Sequence, residues 1–131
     1  MSAPTPRALM PGLMLLASAC STGPERLDLT GTWEGTTLLT DPFMATLSIV
    51  QSGATLTGNL TIAELLDGPF VGAVNETTRV LTWNVFSGCE QWSGTFDVNS
   101  DGTEMAGPVL NDVSACGTGS DSSGTITLSK W

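Results

Sequence analysis

The sequence predicts an all-β domain, an antiparallel up-and-down barrel of eight strands, with a two-sheet sandwich as the rival architecture. Three observations predict it. From Leu29 onward no window of helical length carries apolar residues at a period of 3.6. Instead Thr, Val, Ile, Trp and Phe fill short runs, and Gly, Asn, Asp and Ser gather between them. A pattern of apolar residue, spacer, Gly, spacer, apolar residue also recurs, at Leu29-Thr30-Gly31-Thr32-Trp33, Leu56-Thr57-Gly58-Asn59-Leu60, Phe70-Val71-Gly72-Ala73-Val74, Trp92-Ser93-Gly94-Thr95-Phe96 and Met105-Ala106-Gly107-Pro108-Val109, with a weaker copy at Ser122-Ser123-Gly124-Thr125-Ile126. Residues two apart on a strand share a face, so each Gly lies with its apolar flanks. There it leaves room for tight coiling or for a bulky neighbour from across a barrel, which favours the barrel over the sandwich. Finally, eight such runs fit in about 110 residues, and eight strands enclose an interior just filled by side chains or holding one small ligand.

The N-terminus stands apart from the domain. Arg7 supplies a positive flank, Ala8 to Ala19 is apolar, and the run closes in small residues, Ala17-Ser18-Ala19. This is the three-part form of a secretory signal over residues 1–19. The run is shorter than the roughly 20 residues of a membrane span, and Pro11-Gly12 interrupts it. Residues 20–28, polar and containing Gly23-Pro24, read as a tether. Residues 29–131 read as the barrel domain.

The first strand is expected over Gly31 to Leu39, with Trp33, Gly35, Thr37 and Leu39 on one face. Thr40-Asp41-Pro42 turns into the second, Phe43 to Gln51, whose Phe43, Ala45, Leu47 and Ile49 share a face. Gln51-Ser52-Gly53-Ala54 makes a hairpin to the third, Thr55 to Ile62. Ala63 to Gly68 reads as a loop, with a helical turn available to Ala63-Glu64-Leu65-Leu66. The fourth strand is Phe70 to Val74, and Asn75-Glu76-Thr77-Thr78 turns into the fifth, Arg79 to Phe86. Both faces of the fifth are partly apolar, so its inward face is left open. Ser87-Gly88 leads to the sixth, Cys89 to Val98, with Trp92, Gly94, Phe96 and Val98 inward. Asn99-Ser100-Asp101-Gly102 is the clearest hairpin signal. Thr103 to Leu110 is the seventh strand, where Pro108 points to an edge-like or bulged site. Asn111 to Ser123 is a polar loop, and Gly124 to Lys130 is the last strand.

Leu16-Ala17-Ser18-Ala19-Cys20 resembles the lipobox of bacterial lipoproteins, departing from the preferred Leu at Ala17. The resemblance implies that Cys20 carries diacylglycerol and an acylated amine (palmitate, for example), and that the signal is cut before it. The alternative is a plain signal peptide cut after Ala19. Ser21 after the Cys, rather than Asp, resembles an outer-membrane address. With Cys20 lipidated, Cys89 and Cys116 are left over in an oxidising compartment, where a disulfide is the simplest outcome. Within the barrel, Gly31-Thr32-Trp33 is similar to the Gly-x-Trp of lipocalins and to the opening strand of avidin-like barrels, in which the Trp plugs one end. Trp92-Ser93-Gly94 also resembles an avidin-type strand. The chain has no Tyr, however, so the biotin site of that family is not carried over.

Composition narrows the function. Thirteen Asp and Glu stand against four Lys and Arg, and Arg7 leaves with the signal. Such an acidic domain is a poor partner for nucleic acid or for anionic lipid through charge. The absence of His removes the usual general base and the commonest metal ligand, and Ser and Thr have no activating partner in sequence. Glu34, Glu64, Asp67, Glu90 and Asp97 read best as solvent-facing strand residues, so neither catalysis nor a cofactor is expected. Asn99-Ser100-Asp101-Gly102 lacks the rest of a calcium loop, and Asn59-Leu60-Thr61 and Asn75-Glu76-Thr77 match a glycosylation pattern without meaning in a bacterial lipoprotein. The expected function is a cell-envelope lipoprotein, anchored to the outer membrane, whose barrel binds a small, mainly apolar ligand. Trp83, Trp92, Phe96, Gly94, Leu60 and Phe70 would line the cavity, with Gly58, Gly72 and Gly107 at its border. Trp33 is expected to be a core plug. The alternative is a structural or interaction lipoprotein with a filled core.

Overall fold

The computed structural model describes residues 27–131, so the signal of 1–19, Cys20 and the tether up to Arg26 lie outside the described residues. Eight strands follow in order: β1 Gly31–Leu38, β2 Pro42–Ser52, β3 Thr55–Ile62, β4 Leu66–Asn75, β5 Val80–Ser87, β6 Glu90–Val98, β7 Glu104–Asp112 and β8 Ser122–Lys130. Each pairs antiparallel with the next, and β8 returns to pair with β1, Lys130 opposite Trp33 and Thr125 opposite Leu38. The sheet is therefore a closed up-and-down barrel. A sandwich would leave strand edges that this pairing removes.

Alternation along the strands builds the core. Inward positions carry Trp33, Leu47, Leu56, Leu60, Ile62, Leu81, Phe96, Ile126 and Leu128, all without solvent exposure. Half of the outward positions are Thr, Ser or Asn, and Leu38, Met44, Val50, Val71, Phe86 and Leu110 are exposed apolar residues among the rest. On β5 the buried row is Leu81, Trp83 and Val85, while Thr82 and Phe86 face solvent. Trp83 lies between Phe70 and Phe96, with ring centroids 5.7 and 5.5 Å apart and planes within 25° of parallel. This stack runs across the inner faces of three neighbouring strands, β4, β5 and β6, with Trp33 towards one end of the barrel and Trp92 towards the other.

Several boundaries differ from the sequence reading. β4 starts at Leu66 because Leu66 and Gly68 continue the buried row that leads to Phe70. Residues 63–65 form a tight turn, with Glu64 at φ 70°, rather than the helical turn open to Ala63-Glu64-Leu65-Leu66. The polar loop shortens to residues 113–121, containing one 3₁₀ turn, Ser114–Cys116. Pro108 sits on no edge. The β6–β7 ladder keeps one register but loses its pairing at Thr95–Pro108 and Phe96–Gly107, where Pro108 has no amide to give. Leu27, read as tether, belongs to the core at 5% exposure.

Gly35 and all the repeat glycines but Gly31 serve close approach of strands. A Cβ on Gly35 would overlap the Thr127 carbonyl oxygen, on Gly58 that of Ser48, on Gly94 that of Pro108, on Gly107 that of Thr95 and on Gly124 that of Leu38. On Gly72 it would lie 2.7 Å from the Thr82 carbonyl oxygen. These contacts fall on the β8–β1, β2–β3, β4–β5 and β6–β7 seams, which are alternate seams of the barrel. Coiling is thus concentrated at four corners. Gly72 and Gly94 are also the cross-strand neighbours of Trp83, whose side chain lies 3.2 Å from where either Cβ would stand.

Candidate functional site

The up-and-down order places the β2–β3, β4–β5 and β6–β7 turns at one end, with residues 27–30 and Trp131. The β1–β2, β3–β4 and β5–β6 turns and the 113–121 loop lie at the other. The first end is plugged. Leu27 and Leu29 are buried, and Trp33 donates its indole N–H to the Leu29 carbonyl at 3.0 Å. Gln51, on the inward row of β2, accepts from the Leu29 amide at 2.8 Å and donates to the carbonyls of Leu27 and Gly53. Lys130 stands 5.9 Å over the Trp33 ring and donates to the Asp28 carbonyl at 3.1 Å. Arg79 donates to the carbonyls of Asn99 and Ser100, tying two turns together. The Thr30 amide and hydroxyl hold the Asp28 carboxyl below its ordinary value.

The other end is bridged. Cys89, in the β5–β6 turn, and Cys116, in the 113–121 loop, form a disulfide with Cα atoms 5.0 Å apart. The loop is held further by the Val113 amide on Asp121 and the Ser114 amide on Asp112, which lowers the Asp112 carboxyl from its ordinary value. Inside the rim, β5 to β8 turn half-buried polar side chains inward: Ser87, Glu90, Asn111 and Ser122. Phe43 on β2, Leu66 on β4 and Leu39 just past β1 supply apolar side chains from the other side. Glu90 accepts the Trp92 indole N–H at 3.1 Å. Thr37 Oγ1 and Asn111 Oδ1, both on the inward rows towards this end, are buried without a hydrogen-bond partner among the described residues. So is Trp83 Nε1 in the middle of the barrel. Buried polar atoms are costly unless paired, so this half of the interior carries the unmet hydrogen-bonding demand.

The residues expected to line a cavity include Leu60, Phe70, Trp83, Trp92 and Phe96, and all five lie in the buried core at no more than 1% exposure. Trp83 stacks directly on Phe70 and Phe96. Gly94 joins a depression of about 450 Å³ on the outer wall, flanked by Ser93, Thr95, Ser123 and Thr125 across Pro108 and Leu110. A second outer depression of about 320 Å³ lies beside Asp97 and Thr127, and two more, of about 250 and 530 Å³, border Leu27 and Asp28 at the plugged end. Sequence reading missed Gln51, Thr37 and Asn111. The inward parity of the two strand-end amides was a usable signal, whereas a buried, unpaired Thr leaves none. Among the described residues no group of three or more His, Cys, Asp or Glu gathers to hold a metal ion. No protein-family model matches the chain, and no curated protein matches it.

Proposed function

We propose that the chain is a non-catalytic cell-envelope lipoprotein, anchored through Cys20 to the outer membrane, whose barrel is a filled, rigid body that works through its surface. The observation that carries this reading is the Phe70–Trp83–Phe96 stack, flanked by glycines pressed onto neighbouring backbone. The space that an apolar ligand needs is taken by side chains, and such a ligand enters only if Trp83 or Trp92 moves. The amphipathic rim at the bridged end, with Glu90, Asn111 and Ser122, is the natural contact surface.

Gly94→Leu separates a filled barrel from a ligand-binding one. In a filled barrel the new side chain meets the Pro108 carbonyl and Trp83, and should cost about 1–3 kcal/mol or more in urea unfolding. Titration of the wild type with long-chain fatty acids and aromatic dyes, followed by Trp fluorescence, should show no saturable response. A saturable response that Gly94→Leu abolishes, with stability kept, would restore the ligand-binding reading. The anchor is tested separately: Cys20→Ser should release the protein from membranes or leave an uncut precursor.

A further inference from the structure

We infer that the plugged end of the barrel stands on the membrane, with Trp131 set into the lipid headgroup layer and the bridged end pointing away. The inference rests on the reading of Cys20 as the lipidated residue. Two observations at the plugged end point to it independently. The first is reach. Leu27 is fixed in the core at this end, its carbonyl held by Gln51. Seven peptide units separate it from Cys20, so the lipid surface lies at most about 25 Å away along a fully extended chain. The second is Trp131. It follows β8 at the same end, its amide bonded to the Thr32 carbonyl at 3.0 Å, and its side chain is 77% exposed. The other three Trp are buried. An indole prefers the membrane–water interface, where its ring meets acyl chains and its N–H meets headgroups.

Charge contributes little to this contact. Arg79 and Lys130 lie at the same end, but each is engaged with backbone carbonyls, and Asp28 and Asp101 share their depression. The partner is therefore a lipid surface as such, and an anionic headgroup is not required. With strands of 8 to 11 residues tilted in the barrel, the disulfide-bridged rim is carried about 20–25 Å farther out.

The test uses the full acylated protein in phosphatidylcholine vesicles, with and without lipids brominated near the headgroup. Wild-type protein should show a blue-shifted, bromine-quenched component of Trp emission, unchanged by added salt, and Trp131→Ser should lose it. Trp33, Trp83 and Trp92 report in the same spectrum that the variant is folded. If Trp131→Ser does not fold, the wild type alone decides, because shallow bromines should quench more than deep ones. Acylated, vesicle-bound wild type without a quenched component would overturn the orientation and leave the anchor standing. Wild-type protein isolated from its own host with a free thiol and no acyl groups at Cys20 would overturn the anchor, and the inference with it.

Discussion

The two ends of the barrel are closed by different means. The plugged end is closed by many weak contacts that depend on one another: Trp33 under Lys130, Gln51 holding both Leu27 and Leu29, Arg79 joining two turns. Its half-buried polar side chains, Gln51, Arg79 and Lys130, are paired with backbone groups. The bridged end is tied across by one covalent bond, Cys89–Cys116, with two amide–carboxylate hydrogen bonds inside the loop, and tolerates unpaired buried atoms on Thr37 and Asn111. A cooperative plug fixes local geometry tightly but fails as a unit. A covalent bridge limits only how far the loop travels, and it leaves the rim beneath it free to carry polar groups with unmet demand.

Breaking the plug should have the largest effect. Trp33→Ala removes the ring beneath Lys130 and leaves the Leu29 carbonyl without its donor, so it should cost about 3–5 kcal/mol in equilibrium unfolding. Protection from hydrogen exchange should fall first at Leu29 and Gln51. Breaking the bridge should cost slightly less. Cys89→Ser combined with Cys116→Ser opens a loop spanning 27 residues, a loss of about 3–4 kcal/mol if chain entropy dominates. Exchange should then accelerate in residues 113–121 and leave the plugged end protected, whereas equal loss at both ends would show that the two are coupled.

The smallest effect compares one carboxylate from each end. Asp28 accepts from Thr30, and Asp112 from Ser114, and both titrate below their ordinary 3.8 in the folded chain. The stability each contributes is whole above that value and is lost as pH falls through the lowered folded value. Both groups are exposed, so the thermal midpoint should decline only slightly more below pH 4 in the wild type than in Asp28→Asn or Asp112→Asn.

How much of this was legible in the sequence follows from the range of each interaction. Strand alternation is local, so the eight strands and the inward set of Phe70, Trp92 and Phe96 could be read directly. The Asn99–Gly102 turn was equally plain: Asn99 accepts from the amides of Thr103 and Glu104, and Gly102 takes a φ of 72°. The role of the glycines could not be read. A Gly beside a Trp is compatible with empty space or with a neighbouring carbonyl, and only the seam partner decides. Leu27 was missed because its burial depends on Gln51, Arg79 and Gly102, all distant in sequence. The unpaired atoms of Thr37 and Asn111 were likewise invisible, since a lack of partners is a property of the packed interior.

Closure of β8 onto β1 also sets an order of assembly. Seven seams join strands that are neighbours in the chain, and each can form as a hairpin over a short loop. The eighth joins Trp33 to Lys130, at opposite ends of the described chain, and must wait for everything between. Until then β1 and β8 are open edges, and the ring of Trp33 lacks its cover. The last step of folding therefore completes the barrel and seats the plug together, so an unfinished chain is marked by two free strands and one bare indole.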